Sequence, residues 1–362
     1  MLGVELFLAG ISSLVLAMDP ASAAAQYLDE RAQTWFAFPG AARGLEANRT
    51  ACVSCHTILP YALGRPALRK VTGTKAPTEY EQRLIAHVQK RVEGWAQLDT
   101  PKFGLFYDFN EQKKKESWGT EAVVNAVVLA FDDRHQGRAE PSATTRKAFA
   151  NLWRVQARSG DQRGSWDWLD FGLEPWESKG GRYVGAALAA LAVAAAPGYY
   201  PAKDDADTDA RVEMLRGYLK RGFAGQNLHN RAWALWASTK LDGILTQAEH
   251  KAVVDQLFAQ QQGDGSWGLA ALGPFVRKDG TKPEAAADGY ATGLLLHILQ
   301  TAGVPKADAR ITRGLAWLKT NQATSGAWQG FSVNKKRDPT THAGKLMTDA
   351  ATGYAVLALG HP

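Results

Sequence analysis

Both cysteines of the 362-residue chain fall within five residues, Cys52-Val53-Ser54-Cys55-His56. Thiols at i and i+3 share one face of a helical turn, and an imidazole follows at once. This is the C-x-x-C-H pattern, in which two thioethers fasten a haem through its vinyl groups and the adjacent histidine takes the iron. The spacing predicts one covalent haem c on Cys52 and Cys55, with His56 as an axial ligand. The sixth position is left open. His87 is the nearest histidine, on a helix predicted over 79–95. Tyr61 or a distant histidine are alternatives, as is five-coordinate iron. Two cysteines exclude a disulfide framework and any zinc site of three or four thiolates.

Haem is attached outside the cytoplasm, so the motif calls for export. Leu6 to Ala17 is an apolar stretch of signal-peptide length, shorter than the ~20 residues of a membrane span. Ala21-Ser22-Ala23 fits a cleavage site, although the segment before the apolar stretch carries Glu5 and no Lys or Arg. The expected division is a signal peptide over 1–25, a haem-attachment segment over 26–76 and a second unit over 77–362, in an exported, periplasmic bacterial protein. No transmembrane span is expected in the mature chain, because Val184–Ala196 is too short and too rich in Ala.

The composition is that of a globular protein, 45% hydrophobic and 22% charged. A net charge of +6 is mild. It suits an acidic redox partner or anionic lipid and gives no nucleic-acid patch. Lys113-Lys114-Lys115 is expected in a solvated loop.

From residue 77 onward, amphipathic helix patterns alternate with apolar ones. The amphipathic set is Glu79–Trp95, Pro141–Arg158, Asp207–Arg221, Thr246–Gln262 and Lys306–Gln322. The apolar set is Thr120–Phe131, Gly181–Ala196, Asn230–Leu241, Asp288–Gln300 and Thr348–Leu359. Loops after the amphipathic helices repeat a signature: Gln156 with Gly164-Ser165-Trp166, Gln261 with Gly265-Ser266-Trp267, and Gln322 with Gly326-Ala327-Trp328. Ser117-Trp118-Gly119 precedes the first apolar helix in the same way. Glycines recur inside the apolar helices at Gly185, Gly293 and Gly353, a costly choice that implies close helix approach. Five hairpins, apolar helices inside and amphipathic ones outside, predict an all-α fold, an (α/α) toroid.

Over residues 77–362 this pattern resembles the terpenoid-cyclase and protein-prenyltransferase group, whose QW repeat matches Gln261…Trp267 and Gln322…Trp328. The resemblance implies that these four residues tie adjacent hairpins together and have no catalytic role. It does not bring that group's chemistry. No D-x-D-D acid occurs, and the nearest run, Asp204–Asp209, reads as a helix cap. A zinc set of Asp, Cys and His fails because both cysteines are already assigned.

Few other residues could do chemistry. Asp288 and Asp349 stand near the starts of apolar helices, as dipole compensation or as cavity carboxylates. Tyr290, Tyr354, Trp233 and Trp236 read as packing around an aromatic axis, and His297 as a core histidine. The expected function is a monohaem c-type cytochrome carrying electrons to a periplasmic redox partner, with the toroid as scaffold or as holder of an apolar small molecule. The alternatives are a haem-dependent redox enzyme acting on an isoprenoid-like molecule in the toroid, and a cyclase-like enzyme with an idle C-x-x-C-H.

Overall fold

The computed structural model describes residues 18–44, 49–95, 110–201 and 205–361. Twelve α-helices lie among them: α1 Pro20–Ala37, α2 Ile58–Thr72, α3 Glu79–Gly94, α4 Glu111–His135, α5 Ala143–Arg154, α6 Gly181–Ala195, α7 Ala206–Gly222, α8 Leu228–Ser238, α9 Gln247–Ala259, α10 Gly289–Thr301, α11 Ala309–Thr320 and α12 His342–Leu359. The even-numbered helices pack in a closed ring, α2 on α4 and so on round to α12, which returns to α2. The odd-numbered helices lie outside, each against its inner partner. The fold is an (α/α) toroid.

Burial follows the sequence pattern. In α6 and α10 nearly every side chain is buried, whereas α9 and α11 bury only a stripe such as Val253 and Leu257 or Ile311 and Leu318. Helix starts are set by side-chain caps: Thr78 and Thr246 form capping boxes with Glu81 and Glu249, and Asp205 and Asp288 cap α7 and α10.

The ring holds six hairpins, not five. The sixth is α1 with α2, drawn from residues 20–72. The loop between these helices carries Cys52 to His56 and a short antiparallel pair, β1 Ala42–Arg43 with β2 Thr50–Ala51. The presumed cleavage site, Ala21-Ser22-Ala23, lies in the first turn of α1, whose Ala24 and Ala25 are already buried. Residues 1–17 of the expected leader lie outside the described residues.

A second departure is at α4. Lys113-Lys114-Lys115 is helical, because Asn110 caps α4 one full turn earlier. The Lys113 ammonium bonds the Glu116 carboxylate (2.5 Å) and the Asp170 carbonyl. Ser117-Trp118-Gly119 is therefore mid-helix and no loop repeat, and Gly119 leaves room for the Asp167 backbone.

The loop repeat has one geometry at three places. Trp166, Trp267 and Trp328 are buried, and each indole N–H donates to a carbonyl at the end of the preceding outer helix, Leu152, Leu257 or Leu318, at 2.7–2.8 Å. The Gln amide donates twice: Gln261 to Gly265 and Arg310, Gln322 to Gly326 and Pro20. The second acceptor always lies on the next outer helix, so each loop staples one hairpin to its neighbour. Gly326 has a φ of +86°, and a Cβ there would stand 2.1 Å from the Ala23 carbonyl oxygen.

Candidate functional site

Ring contacts locate one mouth of the toroid. His56, just before α2, lies 4.9 Å from Trp35 and 6.0 Å from Trp176, which precedes α6. Trp176 meets Tyr290 at the start of α10 edge-on, at 5.5 Å. Tyr290 pairs with His229 at the start of α8, its hydroxyl 2.9 Å from Nε2. His342, first residue of α12, stacks on Trp35 at 5.9 Å. The N-terminal ends of α2, α6, α8, α10 and α12 therefore converge, and the positive ends of their helix dipoles face this mouth. Farther along the axis, Tyr354 packs edge-on against both Tyr290 and Trp233. Tyr290, Tyr354, Trp233 and Trp236 are buried, so the aromatic axis is packed core.

Two of the sequence candidates are structural nodes. Asp349 lies inside α12, buried, and accepts from Tyr27 (2.9 Å), from two nitrogens of Arg31 (2.7 and 3.0 Å) and from the Thr57 hydroxyl (2.7 Å). Because Thr57 gives its proton to Asp349, its oxygen accepts from His56 Nδ1 at 2.9 Å. That fixes the His56 tautomer and leaves the lone pair on Nε2. Burial lowers the imidazole pKa to about 3, so the ring stays neutral. Asp288 caps α10 through Ala291 and also accepts from the Leu269 N–H at 2.7 Å. Burial pushes its carboxyl to about 7.

Glu177, which no sequence motif marks, is the distinctive carboxyl of this mouth. It lies on a tight turn whose ends pair Leu173 with Glu177, next to Trp176. Its side chain is half-buried and makes no ion pair among the described residues. Burial raises its pKa to about 7, with Arg43 and Lys113 pulling it back. On the same turn Glu174 is also raised, mainly by burial. Neither has a periodicity or motif to announce it, since the turn is irregular.

The C-x-x-C-H residues are incorporated into the wall of the mouth. Cys55 is 5% exposed and belongs to the core, and Cys52 packs against it. Burial raises both thiols, Cys52 to about 11, so neither is a thiolate. His87 accepts from the Ala51 N–H at 3.2 Å and stacks on Phe36, bracing the β1–β2 loop. Tyr61 donates to Asp29 at 2.8 Å. No group of three or more His, Cys, Asp or Glu able to hold a metal occurs among the described residues.

No family model matches the chain, and no curated protein matches it. Solved structures do. A protein described as a wild-type glycosidase is 13% identical, covers 95% of this chain and 99% of its own length, and gives a TM-score of 0.55. The unsaturated glucuronyl hydrolase of Bacillus sp. GL1, described as responsible for the degradation of glycosaminoglycan, is 11% identical, with coverage of 93% and 94% and a TM-score of 0.53. Coverage of 95% and 93% of the chain leaves too few unmatched residues to omit the whole of residues 20–76. These matches correct the reading of that stretch as a cytochrome segment, and with it the covalent haem c on Cys52, Cys55 and His56, the iron site with His87 and the electron-carrier function. They also replace the terpenoid-cyclase and prenyltransferase resemblance, which shares only the toroid. At these identities the likeness concerns architecture: the chain has the α/α toroid that these glycosidases share.

Proposed function

We propose that the chain is a glycoside hydrolase acting on an acidic saccharide at the mouth where the inner helices begin, with Glu177 as proton donor. The observation that carries this reading is the Glu177 carboxyl beside Trp176, with a pKa of about 7 and no ion pair among the described residues. A carboxylic acid that is neutral near pH 7 can protonate a glycosidic oxygen as the bond to the anomeric carbon breaks. Water then adds at that carbon, and its proton leaves to solvent or a nearby base. Asp349 cannot take this part, because its oxygens are engaged by Arg31, Tyr27 and Thr57.

Three further features support the substrate class. Trp35 and Trp176, both largely buried, form an aromatic wall at the mouth around His56 and beside Glu177. The converging helix starts and the net charge of +6 favour an anionic sugar. The whole-length likeness to glycosidases, one of them a glucuronyl hydrolase, points the same way.

The test is turnover of saturated and unsaturated uronyl disaccharides by the wild type and Glu177→Gln. The expected result is release of monosaccharide, reduced about 10²- to 10⁴-fold by the substitution. No turnover of any of these sugars, or an undiminished Glu177→Gln, would overturn the reading.

A further inference from the structure

The opposite end of the axis has a different character. A cavity of about 300 Å³ opens there, lined by the last turns of the inner helices. Its apolar walls include Leu191, Trp236 and Leu357, and Arg134 and Lys240 stand at its rim. None of the described residues that line it carries a carboxylate.

The two cations line the same cavity. Burial, and after it the charge of Arg134, depresses the Lys240 ammonium. Neither forms an ion pair among the described residues. Like charges held beside an apolar wall are unfavourable unless an anion joins them. Deeper in, His297 presents a buried Nδ1 with no hydrogen-bond partner, while its ring meets Trp236 edge-on at 4.8 Å.

We propose that this cavity binds a small amphipathic carboxylate, its head between Arg134 and Lys240 and its apolar body against Leu191, Trp236 and Leu357. The helix C-termini that converge here also attract cations, and they supply the rival explanation of the two side chains. On that account the cavity would prefer a cationic guest, or show no charge preference. The proposal is independent of the Glu177 site, which lies at the other mouth.

Calorimetric titration with octanoate, octanol and octylammonium decides the matter. Octanoate is expected to bind one per chain, at least about tenfold tighter than octanol, with octylammonium weakest. Both side chains are exposed at helix C-termini, so the double variant Arg134→Glu/Lys240→Glu should fold and lower the melting temperature only modestly. It should lose octanoate affinity by about tenfold or more. Filling the wall with Ala194→Phe should weaken octanoate and octanol alike. Octanoate binding no tighter than octanol, a preference for octylammonium, or affinity unchanged by the charge reversal would overturn the proposal.

Discussion

Gln322 and Pro20 are 302 residues apart, and the Gln322 amide donates to the Pro20 carbonyl at 2.8 Å. The same bond joins neighbouring outer helices at Gln261 and Arg310, 49 residues apart. A local repeat is thus reused once, without change, to close the ring between the last loop and the first helix.

Gln322→Ala and Gln261→Ala each remove two hydrogen bonds and should each cost about 1–3 kcal/mol. Hydrogen exchange should separate them. Gln322→Ala is expected to speed exchange in α1, far away in sequence, whereas Gln261→Ala should act at the α9–α11 junction. Equal protection of α1 in both variants would contradict the closing role.

Gly326 and Gly303 both have positive φ, at +86° and +88°. A Cβ on Gly303 meets nothing within 4 Å, while one on Gly326 collides with the Ala23 backbone. Gly303→Ala should cost about 1 kcal/mol of backbone strain. Gly326→Ala should cost several-fold more, by urea unfolding, because α1 must be pushed away.

Asp349→Leu strands a buried guanidinium and should destabilise by about 3–5 kcal/mol. Arg31→Met/Asp349→Leu should recover a substantial part of that loss. A double variant no more stable than the single one would show that the bonds from Tyr27 and Thr57, not the ion pair, carry the node.

The Glu177 carboxyl has a folded pKa of about 7 against an ordinary 4.5. The fold therefore holds this proton more tightly than the unfolded chain does. Its favourable contribution is complete below about pH 4.5 and is lost as pH rises to about 7. Melting temperatures of wild type and Glu177→Gln should diverge over that window, with the variant gaining relative stability towards pH 8. Parallel curves would show that the group titrates normally.

The toroid was legible in the sequence wherever periodicity carried it. The apolar pattern Gly181–Ala196 is α6 to within one residue, and the amphipathic pattern Glu79–Trp95 is α3. The staples were legible too, because Gly and Trp recur two residues apart at all three loops and Gln precedes Trp by six at two of them. The first hairpin was not. Its inner helix begins two residues after His56, and a compact cofactor motif drew attention away from the amphipathic character of residues 58–72. Glu177 was hidden for another reason. Its raised pKa comes from the company it keeps on an irregular turn, and nothing in the local residue pattern encodes that.

Thr57 and Asp349, 292 residues apart, meet across the seam between α2 and α12. During synthesis the first hairpin leaves the ribosome long before its second neighbour exists. At about 5–20 residues per second, the wait is roughly 15–60 s. Throughout it, one flank of α2 and the buried side of α1 lack their final partner. The nascent chain therefore exposes an apolar edge until the last helix is made.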